Sequence, residues 1–158
     1  MEGTVHSINV KGSSTDGVGL PKTPVEMAFI YYAGVEGDYN NYRIRKNKGW
    51  KRAVSLHCLE SLEEINREGF SIKPGDLGEN ITTRNILYDS IKVGGIYQIG
   101  DSVIEITEPI VPCENLHLLP YFRGINVSKV LKGRRGWYAS VYREGVTMSG
   151  DYIKLISK

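Results

Sequence analysis

Turn-forming glycines placed between short β-branched runs are the feature that most restricts the fold of this chain. Glycine supplies 18 of the 158 residues, and four Gly-Asp doublets mark turns: Gly37-Asp38, Gly75-Asp76, Gly100-Asp101 and Gly150-Asp151. The last two doublets each precede a β-branched run, a pattern typical of hairpins. Periodicity predicts further strands over residues 3–10, 25–32, 93–99 and 137–143.

Helical signals are few. Leu59, Leu62 and Ile65 recur at three-residue spacing and predict a helix over residues 58–68 with Gly69 as its stop, and a shorter helix is predicted over Val127–Leu131. The fold class expected is therefore mainly β with one or two short helices, as a β-barrel or a sandwich. Neither a linker nor a repeat divides the chain, so a single domain over residues 1–158 is predicted.

Composition excludes several classes of protein. No apolar run approaches the roughly 20 residues that cross a bilayer, and the N-terminus has no signal pattern, so a cytoplasmic location is expected. The net charge of +2 is too small to indicate nucleic-acid binding by the whole protein. With two cysteines and three histidines but no Cys-x-x-Cys or His-x-x-x-His, neither a structural zinc site nor, in a reducing compartment, a disulfide is expected.

Cys113 is the first candidate for chemistry. It follows Pro112 at the end of a strand-like stretch and precedes the polar residues Glu114 and Asn115. A deprotonated thiol there would be a nucleophile or a metal ligand, whereas the commoner role of a lone cysteine is a small buried apolar residue. Cys58 opens the predicted helix and is interpreted as structural, although a helix N-terminus lowers a thiol pKa.

The segment 74–83 is a candidate ligand loop. Asp76, Glu79 and Asn80 lie among two glycines, so the backbone can bend sharply and present N–H groups beside polar side chains. The alternative is a turn in which Asp76 and Asn80 cap their own backbone.

Two basic stretches are candidates for anion binding. Residues 43–52 contain six lysines and arginines interleaved with Tyr42 and Trp50, which suits a phosphate or a single strand of nucleic acid but equally a solvated loop. Arg134 and Arg135 form a second basic group, and together with Arg52 they are predicted to converge on one anion site.

The order of these pieces resembles the MOSC domain family, named for the C-terminal part of molybdenum-cofactor sulfurases. The resemblance runs over nearly the whole chain and rests on the following stretches: Gly34-Val35-Glu36-Gly37-Asp38, Arg52-Ala53-Val54-Ser55-Leu56, Pro74-Gly75-Asp76-Leu77-Gly78-Glu79-Asn80-Ile81-Thr82-Thr83, Pro112-Cys113, Gly133-Arg134-Arg135-Gly136-Trp137-Tyr138-Ala139 and Gly150-Asp151. It implies a MOSC-type β-barrel and a role in carrying sulfur or binding molybdenum cofactor.

The resemblance also implies roles for individual residues. Cys113 matches the family cysteine that accepts sulfur as a persulfide or ligates molybdenum. Arg52, Arg134 and Arg135 would face the anionic cofactor, with Asp76, Glu79 and Asn80 shaping the pocket. The aminotransferase-like part of the large sulfurases is missing from this sequence, so no pyridoxal phosphate is expected and sulfur would come from a separate donor, such as a cysteine desulfurase, for a molybdoenzyme acceptor.

Three functions are therefore carried forward. The first is a sulfur-carrier or molybdenum-cofactor-binding domain with Cys113 as the sulfur site. The second is a molybdenum-dependent reductase module for N-hydroxylated substrates, which needs an electron-donating partner because no flavin, haem or iron–sulfur motif is present in the sequence. The third is a nucleic-acid-binding barrel that uses the basic stretch 43–52.

Overall fold

The structure, a computed structural model, describes residues 2–12, 17–39, 50–112 and 114–158. Strands dominate the described residues, with two α-helices and three short 3-10 segments. The strands are β1 (Glu2–Val10), β2 (Thr23–Val25), β3 (Met27–Tyr31), β4 (Gly34–Val35), β5 (Val54–Cys58), β6 (Ile81–Arg84), β7 (Ile96–Ile99), β8 (Ser102–Pro109), β9 (Trp137–Arg143), β10 (Gly145–Met148) and β11 (Tyr152–Ser157). The helices are α1 (Leu59–Asn66) and α2 (Val127–Leu131), and the 3-10 segments are Tyr88–Ser90, Glu114–Leu118 and Pro120–Phe122.

Seven strands close into a barrel in the order β1-β11-β7-β8-β9-β5-β6, with β6 paired back to β1. Every pairing in the ring is antiparallel except β5 with β6, which is parallel. Because parallel neighbours need a crossover connection, helix α1 and the long loop after it join these two strands. The mainly β fold with a closed barrel is thus confirmed.

Two apolar clusters divide the interior. The barrel interior holds residues such as Ile8, Ile81, Ile104 and Ile106, and the buried face of the three-stranded sheet β10-β3-β4 joins it through Ile30. The second cluster lies under the helices and is formed by Leu62, Ile65, Leu77, Leu116, Phe122 and Leu131 among others. In strand β5, alternation directs Val54, Leu56 and Cys58 into the barrel, yet all five strand residues are buried. The outer face of β5 is therefore covered by the second layer.

The predicted elements were recovered with instructive differences. Strand β9 and helix α2 have the predicted bounds. The strand predicted over residues 25–32 is two strands, because Glu26 interrupts it and its carbonyl accepts a hydrogen bond from Ser149 N (2.8 Å). The helix predicted over residues 58–68 is shorter, since Cys58 still belongs to β5. The single domain over residues 1–158 stays a prediction.

None of the helices formed by the described residues combines the length and the apolarity needed to cross a membrane.

Candidate functional site

The covered outer face of β5, β6 and β1 carries a buried polar network. Asn9 Nδ2 donates to Glu79 O (3.1 Å) and to Thr82 Oγ1 (3.0 Å), while Ser55 Oγ donates to Gly78 O (3.3 Å). Each of these side chains is on a strand or directly beside one, so the barrel fixes its position. The network lies beneath the loop 72–80 that connects α1 to β6.

The loop carrying Glu79 is held tightly against the rest of the molecule. Gly75 has φ +91°, and a Cβ added there would lie 2.3 Å from Lys22 O, so only glycine allows this approach. The carbonyl of Gly75 also accepts from Lys22 N (2.8 Å). On the outer side, Asp76 Oδ2 accepts from Lys73 N (2.9 Å) and from Tyr121 OH (3.0 Å). The loop is therefore fixed from both sides despite its glycines.

Asn80 joins three parts of the chain. Its Oδ1 accepts from Ser55 N (3.1 Å), and its Nδ2 donates to Asn9 O (3.3 Å) and to Asp38 Oδ2 (2.9 Å). Asp38 in turn forms a buried ion pair with Lys22 (2.8 Å). Burial lowers the pKa of Lys22, and the Asp38 carboxylate opposes this shift. These partners are far from Asn80 in sequence, so its hydrogen bonds are more than the local turn caps that the sequence left open.

Glu79 is completely buried. Its Oε1 accepts from Gly75 N (2.6 Å) and Thr82 Oγ1 (3.1 Å), while its Oε2 has no hydrogen-bond partner among the described residues. Burial raises the pKa of the Glu79 carboxyl. The hydrogen bonds to the carboxyl and the nearby Arg135 charge favour the ionised form and partly oppose this shift. A buried carboxyl with one satisfied oxygen is able to hold or release a proton towards a bound group.

Arg135 is the cation of this cluster. It is 6% exposed, and its Nη2 donates to Leu77 O (2.7 Å). Its Nε and Nη1 have no hydrogen-bond partner in the part of the chain that the structure describes, and it forms no ion pair there. The next residue, Gly136, packs so closely that an added Cβ would lie 2.2 Å from Leu56 O. This contact fixes the backbone that carries Arg135 against strand β5.

His57 is a site residue that the sequence interpretation missed. It is 1% exposed, and its Nδ1 lies 3.2 Å from Cys58 O. Because a carbonyl only accepts, Nδ1 carries the hydrogen and Nε2 is left as an acceptor without a partner among the described residues. Burial and then the Arg135 charge lower the pKa of His57 to about 3, so the imidazole is neutral. Strand alternation places His57 outside the barrel, but only the covering loop makes that position a buried one.

The other two predicted arginines have carboxylate partners of their own. Arg52 pairs with Glu108 and lies over the Tyr138 ring, 4.9 Å from its centroid. Arg134 pairs with Glu64 (3.2 Å) and Glu68 beside helix α1. Of the three arginines, the geometry groups only Arg135 with Glu79 and His57. The common anion site for all three stays a prediction.

Cys113 lies outside the described residues, and so do residues 40–49 of the basic stretch. The described residues on either side of Cys113 are placed near the cluster: Ile110 N donates to Gly136 O (2.9 Å), and Leu116 is buried with Leu77. The assignment of Cys113 as the sulfur or metal site stays a prediction. Across the described residues there is no group of three or more His, Cys, Asp or Glu arranged to hold a metal ion.

Cys58 differs from the nucleophile that a helix N-terminus could create. It is 1% exposed inside the barrel, and burial raises its thiol pKa to about 11. Desolvation therefore outweighs any stabilisation of the thiolate by helix α1. Cys58 is a core residue in the neutral thiol form.

Comparison with known proteins agrees with the fold. A family model for the MOSC domain matches residues 43–154. A protein named reductase from Gibberella moniliformis is 33% identical over 85 residues, which is 53% of this chain and 15% of that protein. YflK from Bacillus subtilis is 24% identical over 144 residues, 89% of this chain and 64% of YflK. The crystal structure of YiiM from Escherichia coli superposes with a TM-score of 0.77 at 22% identity, covering 100% of this chain and 71% of that one.

The chain thus spans less than two thirds of these two curated relatives, 15% of one and 64% of the other. The likeness to YiiM shows a shared fold.

Proposed function

Because the chain belongs to the MOSC domain family, whose members are associated with molybdenum cofactor, we propose that it carries sulfur as a persulfide on Cys113. The proposed step is exchange between a donor persulfide and the Cys113 thiolate. The thiolate attacks the terminal sulfur, the donor S–S bond breaks, the donor leaves as a thiolate and Cys113 gains the sulfur atom. No external oxidant or reductant is needed.

The observation that carries this proposal is the state of Cys58. The sequence has two cysteines, and Cys58 is a buried neutral thiol with its pKa raised to about 11. Only a thiolate attacks sulfur at a useful rate. A cysteine-borne sulfur in this chain is therefore assigned to Cys113, whose described neighbours on both sides lie against the segments that carry Arg135 and Glu79.

The residues also fit one anionic group of molybdenum cofactor. Arg135 has buried N–H donors without partners among the described residues, and such donors suit an anionic oxygen or sulfur. Cys113 would supply the single protein thiolate ligand to molybdenum. The bound cofactor would supply two-electron and oxygen-atom transfer chemistry. The role of the protein would be to position it: Arg135 would hold the anion, the Glu79 carboxyl, whose pKa burial raises, would exchange a proton at Oε2, and Asn80 keeps the loop in place.

Partners follow from this chemistry. A sulfur carrier takes its sulfur from a persulfide donor, for which a cysteine desulfurase is suited, and passes it to an acceptor such as a molybdoenzyme.

Sulfur loading tests the proposal directly. Purified protein is incubated with a cysteine desulfurase and cysteine, and intact mass is measured before and after treatment with a reductant. The wild type and Cys58→Ser should gain one sulfur atom that the reductant removes, whereas Cys113→Ser should gain none. Loading that survives in Cys113→Ser and disappears in Cys58→Ser would contradict the assignment.

The reductase-named relative favours a second candidate, a molybdenum-dependent reductase module for N-hydroxylated substrates. To test this candidate, the protein is produced in a host that makes the cofactor and is analysed for bound metal and pterin. Reduction of an amidoxime is then assayed with an added electron donor. Molybdenum bound in a one-to-one ratio and turnover lost in Cys113→Ser would favour the reductase over the carrier. The nucleic-acid hypothesis gains no support, because residues 40–49 lie outside the described residues.

A further inference from the structure

We propose that His57, Glu79 and Arg135 form a buried binding site for a small, singly charged anion that keeps one hydrogen, of which hydrosulfide is the simplest. This inference goes beyond the proposed function, because it requires neither Cys113 nor a pterin. It is carried by the complementary polar atoms that these three side chains present.

The charge of the ligand follows from Arg135. A guanidinium stays protonated in proteins, and a buried charge is expensive unless an opposite charge lies beside it. Arg135 is 6% exposed and has no carboxylate partner among the described residues, although the buried Glu79 is close enough for each charge to act on the other. Burial raises the pKa of Glu79, which works against neutralisation of Arg135 by this carboxyl. His57 is neutral. Arg135 therefore supplies one buried positive charge, which suits a monoanion.

The donor and acceptor pattern sets the hydrogen on the ligand. Arg135 offers N–H donors at Nε and Nη1, and the Glu79 carboxyl, whose pKa burial raises, offers an O–H at Oε2 when it is protonated. His57 offers the opposite, since its Nδ1 donates to Cys58 O and its Nε2 accepts. A halide ion accepts hydrogen bonds from these donors. It has no hydrogen to donate, however, so its charge repels the lone pair on His57 Nε2. Hydrosulfide or bicarbonate accepts from Arg135 and from the Glu79 O–H and gives its own hydrogen to His57 Nε2.

The size of the ligand follows from the surrounding packing. Gly136 is in contact with the Leu56 carbonyl, and Arg135 is held by the Leu77 carbonyl at 2.7 Å. All four unpartnered atoms are buried from solvent. The burial of these four atoms therefore favours a small anion.

The proposal also gives a pH dependence. The charged and titratable groups that act on Glu79 are Arg135 ahead of β9, Lys22 in the loop after β1 and Tyr121 in the 3-10 segment Pro120–Phe122. Burial holds the pKa of Glu79 above its ordinary value in spite of the cation Arg135. As the pH rises through that pKa, Glu79 gains a negative charge that opposes the anion, so affinity falls.

Calorimetric titration at constant ionic strength tests the site with sodium hydrosulfide, bicarbonate, iodide and sulfate as probes. Hydrosulfide or bicarbonate should bind at least roughly fivefold more tightly than iodide, as expected for about one additional hydrogen bond, and sulfate should not bind. Arg135→Gln should weaken binding at least about tenfold. Arg134→Gln is the matched control, since Arg134 has carboxylate partners, and it should bind like the wild type. Equal affinity for iodide and hydrosulfide, or sulfate binding, would overturn the proposal.

Two further variants complete the test. Glu79→Gln mimics the protonated acid, so its iodide affinity should fall less with rising pH than that of the wild type. Cys113→Ser should bind every probe like the wild type, so loss of sulfur loading and loss of anion binding are separate results. If Arg135→Gln does not fold, crystals of the wild type soaked in sodium hydrosulfide decide: a sulfur anomalous peak within hydrogen-bond distance of Arg135 supports the site, and its absence refutes it.

Discussion

Replacing Asn80 with alanine should destabilise the protein far more than an ordinary loop substitution. Asn80 is 3% exposed, and its side chain accepts from Ser55 N and donates to Asn9 O and Asp38 Oδ2. Alanine would leave these groups without that partner inside the protein. Each such loss costs about 1–3 kcal/mol, and Asp38 keeps other donors, so we expect a loss of about 3 kcal/mol in the free energy of unfolding.

Urea denaturation measures this effect. With a slope of about 2 kcal/mol/M, a loss of about 3 kcal/mol lowers the unfolding midpoint by roughly 1.5 M urea. The exposed Asn115→Ala is the control, with an expected change within about 0.5 kcal/mol. We reason that the Asn80 amide joins β1, β5 and the loop that contains Asp38. An unfolding free energy of Asn80→Ala within about 1 kcal/mol of the wild type would refute this reasoning.

Three further outcomes are expected. Alkylation at neutral pH, followed by peptide mapping, should label Cys113 before Cys58, whose buried thiol has its pKa raised to about 11; preferential labelling of Cys58 would contradict this. Since the unfolded state binds the additional proton between the folded pKa of about 3 and the ordinary 6.5, His57 should make stability rise with pH across that window. The wild type should lose stability between pH 7.5 and pH 4.5, and His57→Asn should reduce that loss in the free energy of unfolding by about 2–3 kcal/mol. Identical pH profiles of the two proteins would refute this expectation. Lys22→Met should destabilise by about 3 kcal/mol by leaving Asp38 buried without its cation, and adding Asp38→Asn should recover part of that loss, both measured by urea unfolding.

Local signals in the sequence predicted much of the fold. Strand β9 was recovered because apolar and polar residues alternate along it, and the β7–β8 hairpin because Gly100-Asp101 is a strong turn signal. The division between β2 and β3 was missed because it depends on Ser149, a residue distant in sequence whose backbone N–H binds the Glu26 carbonyl. A sequence pattern cannot contain such a contact.

The residues of the candidate site also divide into those that local sequence signals predicted and one that depends on contacts distant in sequence. Residue type and neighbouring glycines singled out Glu79, Asn80 and Arg135, and the structure buries all three. His57 was missed because alternation places it on the outer face of β5, where a histidine normally meets solvent. Its burial depends on the loop before β6, which returns over that face and brings Leu77 into the second core.

The Arg134-Arg135 doublet shows why identical neighbouring residues need not share a role. Arg134 N donates to Leu131 O, and its side chain extends to Glu64 and Glu68, where solvent surrounds the ion pairs. Gly136, at φ +113°, then turns the chain into β9 against the Leu56 carbonyl, and Arg135 is directed inward to the Leu77 carbonyl. A guanidinium at the surface finds carboxylates at little expense, whereas a buried one is stable only with an anion beside it. The inward arginine is therefore the one to which we assign a ligand, and Arg134 is the variant against which its loss should be measured.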